Sequence, residues 1–169
     1  MGLTVVHVVI SLIGIGAGLV VLVGMLRRKR YEGWTVAFLA STVATSVTGF
    51  AFAADRVLPS HIVGLLSLVA LGAGAYARYR RELAGHWRTV YVVTAALALY
   101  LNVFVGVIQS FLKVPALHAM APTQSEPPFV MTQLTVLAIF AGLAIAAVVR
   151  FRPDPIGSPH FKRMSVPQM

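Results

Sequence analysis

The sequence predicts an all-α, polytopic membrane bundle of five transmembrane helices, with the amino terminus outside and the carboxyl terminus in the cytoplasm. Three observations predict it. Of the 169 residues 58% are hydrophobic and only 11% charged, and the mean hydropathy is +0.83, where soluble domains carry roughly 45–50% apolar residues. The apolar residues gather in five runs, each close to the roughly 20 residues that a helix needs to cross a bilayer. The basic residues lie at the ends of those runs, and nearly all of them on one side.

Taken in order, the first run covers 3–26 and is followed by Arg27-Arg28-Lys29-Arg30. A cleaved signal peptide places its positive charge before the apolar stretch, so this segment is expected to be retained. Helix two is expected over 34–54, closed by the Leu58-Pro59 break, and helix three over 61–77. After the basic linker Arg78 to Arg88, helix four is expected over 89–113 and helix five over 130–149. Between the last two, Pro115, Pro122, Pro127 and Pro128 predict an irregular external loop over 114–129 in place of a helix. Residues 1–152 thus form the bundle, and the polar, proline-containing segment 153–169 is expected to be a disordered cytoplasmic tail.

Orientation follows from charge. Arg27, Arg28, Lys29, Arg30, Arg78, Arg80, Arg81, Arg88, Arg150, Arg152, Lys162 and Arg163 share one side, and only Arg56 and Lys113 lie on the other. The positive-inside rule makes the richer side cytoplasmic. A net charge of +9 on a soluble surface would suggest nucleic acid. At helix ends it points instead to anionic lipid headgroups, so membrane lipids are expected as partners and nucleic acid is not. The absence of cysteine excludes disulfides, thiol catalysis, thiolate metal sites and thioether haem attachment.

A weak internal repeat relates helices one and two to helices three and four. His7, Val9, Leu12 and Gly18 match His61, Val63, Leu66 and Gly72, and Arg27, Arg28 and Trp34 match Arg80, Arg81 and Trp87. Both copies run in the same sense, which makes them parallel repeats about an axis along the membrane normal. Gly18 and Gly72 then predict close contact between helices one and three, because small residues admit a neighbouring backbone.

The repeat sets His7 and His61 at equal depth on the external side. Two such imidazoles are candidate ligands for a b-type haem or a transition metal. His118 from the 114–129 loop, with Glu126 or Asp55, completes an N/O donor set suited to zinc, copper or iron. Asn102 and Gln109, seven residues apart on helix four, fall on one face by helical period and are candidates either for interhelical hydrogen bonds or for lining a ligand cavity. Trp34 and Trp87 fit aromatic anchors at the internal interface. No catalytic constellation is legible: there is no HExxH, no paired acids within a helix and no ionisable residue near mid-membrane, which counts against an enzyme and against an ion-coupled transporter.

The run His61-x2-Gly64, Gly72 and His86-x-Arg88-x2-Tyr91 resembles a pattern in small bacterial multi-pass membrane proteins of unknown function, over about thirty positions of helices three and four. The resemblance implies a helix bundle in the bacterial inner membrane, with distant analogy to b-type cytochromes; it departs from them in lacking histidines paired at two depths. Two functions remain in competition. One is a small ligand-binding bundle with metal, haem or a quinone-like lipid at its external mouth. The other is a non-catalytic accessory or assembly subunit of a larger membrane complex, or a homo-oligomer.

Overall fold

The computed structural model describes residues 2–50 and 59–152, and all of their regular structure is helical. Helix α1 spans Gly2–Leu26, α2 Glu32–Phe50, α3 Pro59–Ala75, α4 Trp87–Lys113, α5 Pro115–Met120 and α6 Pro127–Arg150. A single π-helical turn, Tyr76–Arg80, extends α3 and is closed by the Arg81 N–H on the Tyr76 carbonyl at 3.1 Å. Among the described residues four helical segments are long and apolar enough to cross a membrane: Gly2–Leu26, His61–Arg80, Trp87–Lys113 and Pro127–Arg150. Helix α2 is not one of them, since Thr35, Ser41, Thr42, Thr45, Ser46 and Thr48 dilute its apolar content.

Helix α4 is the hub. It packs against α1, α3 and α6, while α2 packs against α1 and α3. Buried Ala95, Ala96 and Ala98 give α4 a low profile that neighbours can approach closely, and Val92 and Leu99 fill the space between them. Helices α1 and α2 form an antiparallel hairpin whose contacts run its full length. His7 meets Thr48, Ser11 meets Thr45, and Gly14 meets Ser41 and Thr42; farther along, Gly18 meets Phe38 and Gly24 meets Tyr31. The chain connectivity gathers Arg27 to Arg30, Arg78 to Arg88 and Arg150 to Arg152 at one end of the bundle, here the basic end. Lys113, α5 and the 121–126 turn lie at the opposite end.

Two expectations are corrected. The 114–129 segment contains a helix, because Pro115 occupies its first turn, where a missing N–H costs nothing and the fixed φ suits helix entry. Val114 before it is extended, as a residue preceding proline must be. Helices one and three, moreover, do not meet through Gly18 and Gly72. Gly18 is buried against Leu99 of α4 and Phe38 of α2, whereas a side chain on exposed Gly72 would touch nothing. The contacts that organise α3 are Gly74 against Thr94 of α4 and Gly64 against Phe50 of α2. Gly18 and Gly72, matched by the repeat, therefore occupy unlike environments.

Candidate functional site

At the opposite end each predicted ligand has its own local surroundings. His7 Nδ1 lies 2.8 Å from Thr48 Oγ1. The same Thr48 hydroxyl lies 2.7 Å from the Ala44 carbonyl of its own helix. His61 stacks on Phe50, ring centroids 5.4 Å apart. Thr48 and Phe50 are two residues apart on α2, about 200° around a helix of 3.6 residues per turn. The two imidazoles thus meet different residues at the end of α2, and a Cβ added at the intervening Gly49 would stand 3.8 Å from His7 Cε1.

The remaining members do not join them. His118 is exposed on α5, and Gln109 is exposed near the end of α4. Asp55 lies outside the described residues. Glu126 is engaged in its own turn: Oε1 accepts from the Thr123 N–H at 3.1 Å and from the Thr123 hydroxyl at 2.9 Å, and Oε2 accepts from the Ser125 N–H at 3.1 Å. Slight desolvation raises the affinity of this carboxyl for a proton, but those donors outweigh it and hold it below the usual carboxylate range. Gln124, in a left-handed conformation, pins the turn to α4 through Nε2 to the Ile108 carbonyl at 3.0 Å. Among the described residues no three His, Asp or Glu side chains gather as metal ligands.

Asn102 faces the α1/α2 hairpin. Its Nδ2, Ser41 Oγ and Thr42 Oγ1 converge on the face of Gly14, each 3.1–3.2 Å from where a Cβ would stand. Gln133 of α6 adds a second polar link, its Nε2 donating to the Phe104 carbonyl at 3.2 Å. These are contacts between helices, of the kind that fixes rotation and register in a bundle. Below them the crevice lined by Gly18, Leu22, Phe38, Ala95 and Leu99 is closed to water.

The densest polar architecture is at the basic end. Helix α3 buries Ser67, Ala70, Leu71, Gly74 and Ala77 on one stripe, and Arg78 continues that stripe. Its guanidinium is 5% exposed and lies 2.6 Å from Glu32 Oε1 at the start of α2, close enough for an ion pair but off the line of a directed hydrogen bond. It also sits over the rings of Tyr91 at 5.1 Å and Tyr79 at 5.8 Å. Arg88 Nη1 donates to the Phe151 carbonyl at 2.6 Å, fastening α4 to the end of α6. Arg81 lies over Trp87 and Tyr76. Sequence reasoning missed Glu32 as the partner of Arg78; the signal was the helical spacing that carries Arg78 onto the buried stripe.

No family model, curated protein or solved structure matches the chain.

Proposed function

We propose that this chain is a five-span membrane protein, its basic end cytoplasmic, that serves as a non-catalytic accessory subunit by packing α6 against a membrane helix of a larger assembly. The fifth span is α2. It is matched to α1 from Thr48 beside His7 to Tyr31 beside Gly24, so a bilayer crossed by α1 is crossed by α2 as well. The orientation rests on the concentration of Lys and Arg at one end.

The observation that carries the accessory role is the state of α6. Only 11% of its span is buried, against 33–39% of the other three. Its exposed side bears Ala138 and Gly142, with half-buried Ala146 four residues on, and a side chain on Gly142 would meet nothing within 4 Å. Lipid contact makes no demand for small residues, whereas close helix approach does.

Gly142→Leu tests the reading in native membranes extracted into polymer nanodiscs. The wild-type chain is expected in particles larger than one copy, and the variant in particles of one copy with an unchanged melting temperature. A wild-type chain extracted alone, or a variant still assembled, would refute it. For orientation, a cysteine at Gly33 is expected not to react with an impermeant maleimide applied outside intact cells.

A further inference from the structure

We propose that the π-helical turn at the end of α3 and the start of α4 together form a binding site for the phosphate of an anionic phospholipid, with Arg81 as its principal cation. The inference rests on the membrane-spanning reading but not on the accessory role.

The π turn decides which arginine is presented. Its closing bond, Arg81 N–H to Tyr76 carbonyl, stacks residue 81 above residue 76, whereas an α-helical turn would place Arg80 there. The Arg81 guanidinium accordingly lies 5.9 Å from the Tyr76 ring and 4.8 Å from the Trp87 ring. Those two rings pack edge to face at 5.2 Å, so the cation rests on a built aromatic bed. Left-handed Glu82 and Leu83, at φ 49° and 61°, turn the chain back to bring Trp87 there, and buried Leu83 anchors the turn through its N–H to the Ala77 carbonyl.

A guanidinium held over aromatic rings keeps N–H donors for a bidentate contact with phosphate oxygens. Arg81 and Arg80 are exposed. Glu32, one of two described acids at this end, is already paired with Arg78; Glu82 is the other. Tyr76 and Tyr79 are 46% and 51% exposed beside these cations. Exposed rings next to a phosphate-binding edge suit a headgroup with acyl chains attached, since the chains cover the rings while the phosphate meets Arg81. A free phosphate would leave the rings uncovered.

The test uses the full chain in nanodiscs of phosphatidylcholine containing a minority of phosphatidylglycerol, with retained lipid counted by native mass spectrometry after release. Phosphatidylglycerol is expected to be retained over phosphatidylcholine, and Arg81→Gln to lower that retention about fivefold. Arg81→Lys keeps the charge but loses the planar fork, and is expected to restore less than half. Arg150→Gln removes an exposed cation from the same end and is expected to leave retention within about twofold. Equal loss in Arg81→Gln and Arg150→Gln, full rescue by Arg81→Lys, equal retention of the two lipids, or displacement of the lipid by millimolar inorganic phosphate would each overturn the site. Extraction of the wild-type chain from membranes by alkaline carbonate would defeat the spanning reading instead.

Discussion

Replacing Gly18 by alanine measures how tightly α1 is held in the bundle. The added Cβ would stand 2.6 Å from Leu99 Cδ1 and 2.9 Å from two carbons of the Phe38 ring, where carbon atoms settle at about 3.5–4.0 Å. The neighbours, or α1 itself, must therefore retreat by roughly 1 Å. Leu99 and Phe38 are each 1% exposed, and neither has open space into which to swing. Overpacking of this kind costs about 1–3 kcal/mol, and the better helix propensity of alanine offsets about 0.5–1 kcal/mol of it. Gly72→Ala is the internal control, because nothing lies within 4 Å of its Cβ position and only the propensity gain remains. Thermal unfolding in detergent, followed by far-ultraviolet circular dichroism, is expected to place Gly18→Ala several degrees below wild type and Gly72→Ala at or slightly above it. Equal melting temperatures for the two variants would refute the packing of α1 on α2 and α4 through Gly18.

Three further outcomes are expected. Glu32→Gln strips a buried guanidinium of its counter-charge; Glu32 is itself 63% exposed, so water replaces part of the interaction and the loss is about 1–2 kcal/mol, between the ranges for buried and surface pairs, read as a lower melting temperature that Arg78→Met partly restores. Thr42→Val removes a buried hydroxyl without a hydrogen-bond partner while keeping the shape, and is expected to be neutral or to stabilise by up to about 1 kcal/mol in the same assay, whereas a clear loss would show that the hydroxyl is bonded. Glu126 binds its donors as a carboxylate, so its lowered pKa means that its contribution to the 123–126 turn is complete above the unfolded value of about 4.3 and is lost as pH falls through the lower folded value; the Thr123 and Ser125 amide proton shifts are expected to titrate together with a midpoint below the ordinary one, and a midpoint at or above it would remove the carboxylate from the turn.

How much of this was legible in the sequence depends on what each feature needs. Apolar run length and the placement of Lys and Arg are properties of single segments; they predicted five spans, of which four are described helices long and apolar enough to cross a membrane, and the gathering of cations at one end. The direction in which His7 and His61 point was not readable. Which face of a helix looks inward is decided by its neighbours, and Thr48 and Phe50, the residues that receive the two imidazoles, carry no mark of that role. Pro115 misled for a related reason, since proline stops a helix from inside and starts one at its first turn. Gly18 and Gly72 look alike in sequence, and only the hub position of α4 makes one a packing surface and the other an exposed gap. The ion pair of Arg78 was within reach: Ser67, Ala70, Leu71, Gly74 and Ala77 trace a stripe whose next member is Arg78, and a cation on a buried stripe requires a partner.

The same neighbour dependence bears on α2, which falls short of the apolar content of the four candidate spans. Three of its hydroxyls do not stand as bare polar groups. Ser41 donates to the Ala37 carbonyl at 2.6 Å, Thr48 to Ala44 at 2.7 Å and Thr35 to Tyr31 at 2.9 Å, each returning its proton to the preceding turn of its own helix. A hydroxyl bonded in this way presents mostly its carbon and a shared lone pair to its surroundings, so the segment is more compatible with hydrocarbon than a residue-by-residue hydropathy suggests. Facing α1, the same oxygens supply acceptors: Thr48 to His7 and Thr45 to the Ser11 hydroxyl at 3.3 Å. The seam is therefore polar from His7 to Asn102 and apolar from Gly18 onward, where Phe38 and Leu99 close it. A graded seam of this form fixes the register of the hairpin, because sliding α2 by one helical turn in one direction would set Ser41 and Thr42 against Gly18, and sliding it in the other would set the Phe38 ring against Gly14, beside the Asn102 amide.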